Sequence, residues 1–553
     1  MVFANVGIYF PLRNAPLHTP SRGQSRENCM TTPHTHESTA HVEGEDDHGV
    51  KQSEWRRMVI GLFLGVALAA LVWFLFPSNA VETVLQSSGA DPEEEYTYGA
   101  IRAVAAVTIL MGVWWMTEAI PLAATALLPL VIFPLAGVGT IKEVGAPYAS
   151  ATIFLFMGGF LIALALQRWN LHRRMALAVV KVVGTSPKRL VLGFMLATGF
   201  LSMWVSNTAT AVVMLPIGTS VLALTAETVG GMKNQKKFAT ALMLGIAYSA
   251  SIGSLGTLIG TPPNALLAGY MKESHDIVLG FGKWMIVGMP LAIIFLFVAW
   301  FMLITIFKPE MDRIPGGKEL IDKEIAALGP WTMPQILTGI IFLGAATSWV
   351  AVPFLVGEDS NYDDAIVGIA AGLLLFAIPA DAKTGVRLLD WKTANEMPWD
   401  VLLLFGGGLS LSAMFNNSGL SLWIGEMAKG LGGLPTILLI AAVALLVLFL
   451  TEITSNTATA ATFLPIMGGV AVGIGLTANG EINILLLTIP VALAATCAFM
   501  LPVATPPNAI AYGSGYVKIG DMIKGGVGLN LIGCVLITLT VYLLAVPVFG
   551  LVL

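Results

Sequence analysis

The sequence predicts an all-α polytopic membrane protein built from two inverted-topology repeats, each with a re-entrant helical hairpin and a broken transmembrane helix. Three observations carry that prediction. Of 553 residues, 56% are apolar and only 11% charged, with a mean hydropathy of +0.80, whereas soluble domains carry roughly 25% charged residues. Apolar runs of about 20 residues, the length that spans a bilayer, recur from Met58 to the C-terminus. Three motifs also occur twice in the same order. A Phe-x-Gly-Gly patch (Phe156–Gly159, Phe405–Gly408) and Ser206-Asn-Thr-Ala-Thr210 with Ser455-Asn-Thr-Ala-Thr459 share an offset of 249 residues. Gly260-Thr-Pro-Pro-Asn-Ala265 and Ala504-Thr-Pro-Pro-Asn-Ala509 follow at an offset of 244. The chain is a duplicated unit.

In chain order, residues 1–57 read as a disordered cytoplasmic tail, polar and holding five of the seven histidines, a composition that resists burial. The first repeat covers 58–307, with spans near 58–76, 101–120, 121–139, 151–167 and 284–307. It includes a polar-centred hairpin at 190–229 and an interrupted span at 238–271. Residues 308–335, with Lys308, Arg313, Lys318 and Lys323, form a hydrophilic cytoplasmic linker. The second repeat covers 336–553, with a hairpin at 434–478, an interrupted span at 483–516 and plain spans near 336–356, 365–380, 399–415 and 526–552. His172 and His275 fall in loops in this layout, and none of the three cysteines has metal spacing.

Charge orients the chain. With two hairpins that turn back, the basic groups around Arg56, Arg173, Lys236, the linker, Arg387 and Lys518 share one face. Asp91, Glu93, Glu94, Glu95, Glu358, Asp359, Asp363 and Asp364 share the other. The positive-inside rule then places the N-terminus in the cytoplasm and the C-terminus outside. Re-entrance rests on depth: Ser206-Asn207-Thr208 lies about 16 residues, roughly 24 Å of helix, beyond Arg189. Hairpins entering from opposite faces give the inverted repeats that recur in secondary transporters.

The motifs carry chemistry. Paired prolines lack N–H groups and clash with the preceding turn, so both Thr-Pro-Pro-Asn segments break their helices. Such backbone survives at membrane depth only inside protein or along a watery cavity. Freed carbonyls are hard oxygen ligands suited to Na⁺, and helix N-termini suit an anion. Ser-Asn-Thr adds hydroxyls and amides able to serve either. Two halves facing one another offer a site for an anion flanked by two cation sites. No Lys or Arg lies in these motifs, so cations must compensate a desolvated anion and bind before it. Interhelical hydrogen-bond glue explains one Ser-Asn-Thr better than two matched copies. Glu118 and Glu452 stand in apolar context, where an acid is a functional candidate. Glu118 precedes Pro121 at a span end and fits an interface role equally; Glu452 can pair locally or act on the second cation site.

These residues, with Trp115-Met-Thr-Glu-Ala-Ile-Pro121, resemble the divalent anion/sodium symporter family over roughly 58–553. The resemblance implies a homodimer in which a transport domain of hairpins and broken helices moves across the membrane in an elevator motion. It implies one Na⁺ site from Ser202, Ser206, Asn207 and the Gly260 backbone. A second would use Thr451, the Thr454 backbone, Asn456 and the Ala504 backbone. Substrate carboxylates would meet Asn207, Thr208, Asn456 and Thr457, with Thr261 and Thr505 close by. The family often has a small residue where Thr454 stands, which leaves that role to the carbonyl. The expected function is Na⁺-coupled import of C4-dicarboxylates such as succinate, malate or fumarate through a bacterial inner membrane. The alternatives are sulfate, citrate or another divalent anion on the same fold, or sodium-independent exchange. A channel would show conductance without strict coupling. A membrane enzyme would need a nucleophile–base pair or metal cluster, and the core motifs supply neither. Nothing points to nucleic acid.

Overall fold

Helices dominate because long apolar stretches must satisfy their backbone internally within a membrane. The computed structural model describes residues 52–88, 96–184, 186–314, 316–356, 362–381, 383–476 and 483–552. The expected tail up to residue 51, and the acidic residues Asp91, Glu93, Glu94, Glu95, Glu358 and Asp359, lie outside that set. Among the described residues, eight helices are long and apolar enough to cross a membrane. The only strands described are a short antiparallel pair, Pro379–Asp381 with Val386–Arg387.

The first half contains α1 (Gln52–Leu75), α2 (Tyr98–Thr117), α3 (Ala151–Arg168), α4 (Leu171–Val183), α5 (Pro187–Ser202), α6 (Asn207–Val229), α7 (Lys236–Ser254), α8 (Pro262–His275) and α9 (Phe281–Ile306). Helix α10 (Gly317–Ala327) follows. The second half contains α11 (Met333–Val356), α12 (Asp364–Ala377), α13 (Trp399–Asn417), α14 (Leu420–Ala428), α15 (Thr436–Leu450), α16 (Asn456–Gly473), α17 (Leu485–Thr496), α18 (Pro506–Gly513) and α19 (Ile519–Thr540). The stretch read as one span at 121–139 is two short helices, Leu122–Thr125 and Leu128–Leu135, interrupted in a segment that holds Pro121, Pro129 and Pro134.

Two loop readings are corrected. His172 lies in α4, because Leu171, His172, Ala176, Leu177 and Val180 bury one stripe of an amphipathic helix; its Nδ1 is 3.0 Å from Leu166 O. His275 closes α8, with Nε2 2.9 Å from Tyr270 Oη. The linker is helical at its centre. Arg173 and Lys181 of α4 pair with Glu324 at 2.6 Å and Asp322 at 2.8 Å. The Lys181 hydrogen bond holds the Asp322 carboxyl below its ordinary range.

Arg168, at the end of α3, pairs with Asp390 at 2.5 Å. Asp390 accepts from Thr393 N at 2.8 Å, capping the short helix Trp391–Ala394. The Thr393 bond, then Arg168, holds the Asp390 carboxyl at about 2 against an ordinary 3.8. A carboxyl depressed on folding stabilises above its unfolded value and loses that contribution as pH falls through the folded one. Acid titration of the melting temperature down to about pH 2 therefore shows a smaller fall for D390N than for the unmodified protein. Equal falls would count against this ion pair. Glu118 caps α2 in the left-handed region (φ 50°) and pairs with Arg57 at 2.6 Å. Both side chains are about half exposed, so the structure favours the interface role at little gain in stability.

The halves interlock. Helix α8 packs against α16 of the other half, and α18 packs against α6. Helix α7 likewise contacts α18, and α17 contacts α8. The Phe-x-Gly-Gly patches are close-packing points: a Cβ on Gly158 would lie 2.3 Å from the Gly368 backbone, and one on Gly407 2.4 Å from Ala126 O.

Candidate functional site

In each half one helix ends and the next begins around the Ser-Asn-Thr motif. Helix α5 ends at Ser202 and α6 begins at Asn207, with Ser206 as N-cap accepting from Ala209 N at 3.3 Å. Helix α15 ends at Leu450 and α16 begins at Asn456. The Ser202 hydroxyl lies 2.6 Å from Asn207 Oδ1 and 2.6 Å from Ala250 O. In the second half, the Thr451 hydroxyl lies 2.8 Å from Asn456 Oδ1 and 2.8 Å from Ala495 O. A hydroxyl has one proton. Each half therefore gathers three oxygens around a single proton, a surplus of lone pairs that matches a hard cation's needs. Ser202 and Thr451 are both fully buried.

The helix breaks are built alike. Thr261 and Thr505 are extended, and the prolines after them open α8 and α18, where a missing N–H removes nothing. The asparagine of each motif staples its break. Asn264 Nδ2 donates to Thr257 O at 2.9 Å and Asn508 Nδ2 to Ala498 O at 3.0 Å and Leu501 O at 3.1 Å. Both leave Oδ1 buried without a hydrogen-bond partner. Close approach demands glycine at Gly260, where a Cβ would sit 2.3 Å from Ser254 O. Ser254 Oγ in turn accepts from Asn207 Nδ2 at 3.4 Å, so Asn207 and Gly260 meet at Ser254.

Not every expected residue joins these clusters through its side chain. The Ser206 hydroxyl caps α6. The Thr454 hydroxyl is spent on Leu450 O at 2.9 Å and Thr459 at 2.6 Å, leaving only its backbone. Thr505 caps α18, accepting from Asn508 N at 3.3 Å. Thr261 Oγ1 lies 3.3 Å from Thr496 Oγ1. Ala504 donates its N–H to Leu501 O at 3.3 Å within the stapled break. Thr208, exposed, and Thr457, half-buried, stand in the first turns of α6 and α16, where backbone N–H groups are free of helical partners.

Glu452 is the main asymmetry, 3% exposed. Its Oε1 accepts from Phe499 N at 2.7 Å, Met500 N at 3.0 Å and Asn530 Nδ2 at 2.8 Å. Its Oε2 accepts from Met500 N at 3.0 Å and Leu501 N at 3.2 Å. The expected local pairing is not seen: Glu452 reaches partners 47–49 and 78 residues away, and so clamps the second break to α19. At the matching position in the first half, Met203 O accepts from Thr257 Oγ1 at 2.5 Å. The carbonyls of Ala250 and Ala495 escape sequence reasoning, since a backbone acceptor leaves no residue signature. Asn530 does carry a signal, an isolated amide inside the last apolar span. Among the described residues no group of three or more His, Cys, Asp or Glu could hold a metal ion.

The family model for the sodium:sulfate symporter transmembrane region matches residues 94–551. The sodium-dependent dicarboxylate transporter SdcS of Staphylococcus saprophyticus is 42% identical over 501 residues, covering 89% of this chain and 92% of the relative. The protein of the same name from Staphylococcus aureus (strain USA300) is 43% identical over 455 residues, covering 81% and 86%. In structure, Neisseria gonorrhoeae MtrF, described with a class of antimetabolite efflux pumps, is similar at a TM-score of 0.52 and 13% identity, covering 89% of this chain and 98% of that one. That likeness concerns the fold alone.

Proposed function

The chain belongs to the sodium:sulfate symporter family, the divalent anion/sodium symporters, and from that premise we propose that it imports C4-dicarboxylates coupled to Na⁺. The observation that carries the reading is the pair of oxygen trios, Ser202–Asn207–Ala250 and Thr451–Asn456–Ala495, each sharing one proton. One Na⁺ is held by Ser202, Asn207 and the Ser206 and Gly260 backbone. Its mate is held by Thr451, Asn456 and the backbone of Thr454 and Ala504. The carbonyls of Ala250 and Ala495 complete the two sets. The orphaned Oδ1 atoms of Asn264 and Asn508 add to the oxygen surplus at both breaks.

The dicarboxylate lies between the tips, one carboxylate at Asn207 and Thr208 and the other at Asn456 and Thr457, with Thr261 and Thr505 opening the facing helices. With no basic side chain in these motifs, the dianion is stabilised by neutral dipoles and by the two cations, so sodium binds first. The relatives' name, sodium-dependent dicarboxylate transporter, favours both the ion and the substrate class. The hairpins and broken helices of two inverted repeats move together in an elevator motion within a homodimer. The membrane is a bacterial inner membrane, with the N-terminus cytoplasmic and the C-terminus external.

Uptake of radiolabelled succinate into proteoliposomes, under an inward Na⁺ gradient or an equal K⁺ gradient, tests this reading. The expected uptake requires Na⁺ and is blocked by unlabelled malate. Uptake indifferent to Na⁺ but driven by internal succinate would make the protein an exchanger. No succinate uptake, with transport of sulfate or citrate instead, would overturn the substrate.

A further inference from the structure

We propose that the hydroxyl contact between Thr261 and Thr496 couples the two cation sites, making Thr496 a positioning residue through which filling one site favours filling the other. This rests on reading the oxygen trios as sodium sites. Thr261 and Thr505 hold matching positions in the repeat, but their hydroxyls point to different partners. Thr505 caps its own helix. Thr261 makes no such cap and instead reaches into the other half of the chain, to Thr496 at 3.3 Å. Thr496 Oγ1 also lies 3.3 Å from Ala492 O; with its one proton directed there, Thr261 donates to Thr496. Thr261 is 1% exposed and Thr496 fully buried.

The residues flanking this contact are those of the two sites. Thr261 directly follows Gly260, a backbone ligand of the first. Thr496 directly follows Ala495, whose carbonyl takes the Thr451 hydroxyl of the second at 2.8 Å. Ser251 stands in the first half as Thr496 stands in the second, next after the carbonyl of the trio. Its hydroxyl is buried with no hydrogen-bond partner, so it makes no bridge to Thr505. One cross-half bridge is made and its counterpart is not.

A cation drawing on the Gly260 carbonyl orders Thr261, and through Thr496 it orders the end of α17 and the second trio. The second ion then meets a site whose ordering cost is already met, which is positive cooperativity without a large movement. The 3.3 Å separation exceeds the usual O–H···O distance of about 2.8 Å, leaving room for the contact to tighten.

Sodium titration of succinate uptake in proteoliposomes, for the unmodified protein, T496V, T496S and S251A, tests the coupling. The unmodified protein gives a sigmoidal response. T496V lowers the Hill coefficient toward 1 and raises half-saturating sodium about fivefold, the low end of typical coupling, while the rate at saturating sodium is kept. T496S restores the unmodified curve, and S251A does not depart from it. An unchanged Hill coefficient in T496V, or a loss of maximal rate alone, would overturn the proposal. So would S251A matching T496V, because local packing would then explain both. No sodium response in the unmodified protein would sink the sodium reading and the coupling together, whereas a normal response with an unaltered T496V would sink the coupling alone. If T496V does not fold, T496C, close in volume and only a weak donor, is read by the same criteria.

Discussion

Asn207→Ala and Asn456→Ala each reduce sodium-driven uptake by about a hundredfold. A hydrogen bond or ligand contact from a neutral group to an ion is worth about 1.5–3 kcal/mol, and each asparagine contributes two in this account. In the proposed site its Oδ1, 2.6 or 2.8 Å from the Ser202 or Thr451 hydroxyl, is a cation ligand, and its place at the start of α6 or α16 faces the substrate carboxylate. Losing both roles costs about 3 kcal/mol or more, about two decades in affinity or rate. The loss appears both as raised half-saturating sodium and as raised KM for succinate. The symmetry makes the comparison sharp, since the same change at positions 249 residues apart must have the same kind of effect. Normal sodium dependence in either variant would remove that residue from the site.

Glu452→Ala causes the largest loss of stability expected of any single change near the site. The carboxylate is the acceptor for the backbone N–H groups of Phe499, Met500 and Leu501 and for Asn530 Nδ2. Each group orphaned at membrane depth costs about 1–3 kcal/mol, several kcal/mol in sum. Glu452→Gln recovers part of this, since one oxygen still accepts while the amide NH₂ opposes a backbone donor. Asn530→Ala removes one bond of the five and has a small effect. Thermal unfolding of purified protein orders the four as unmodified, N530A, E452Q and E452A, from most to least stable. A melting temperature for E452A equal to that of the unmodified protein would show that the clamp is dispensable.

Much of this was legible in the residues because the decisive signals are covalent. Hydropathy announces the spans, and paired prolines announce helix breaks wherever they sit. Ser202 with Asn207, and Thr451 with Asn456, are grouped through the family resemblance, supported by the 249-residue offset between Ser202 and Thr451. Other features were illegible for physical reasons. The Ala250 and Ala495 carbonyls have no side-chain signature. Thr261 and Thr505 look equivalent in sequence, and only the fold decides that one caps its helix while the other crosses to Thr496. The loop reading of His172 fails because the charges of Arg173 and Arg174 mask the amphipathic stripe of α4, which those same arginines tie to the linker. Glu452 announced itself as a buried acid, but its partners lie on a break 47 to 49 residues away and on another helix.

The most direct test of the central claim is the number of sodium ions bound, measured with radioactive sodium on purified protein in saturating succinate. One ion per half is expected in the unmodified protein. Asn207→Ala and Asn456→Ala should each lose one, and the double variant should lose both. A full complement of sodium in the double variant would contradict it, because the ions would then be held by groups other than the two hairpin tips.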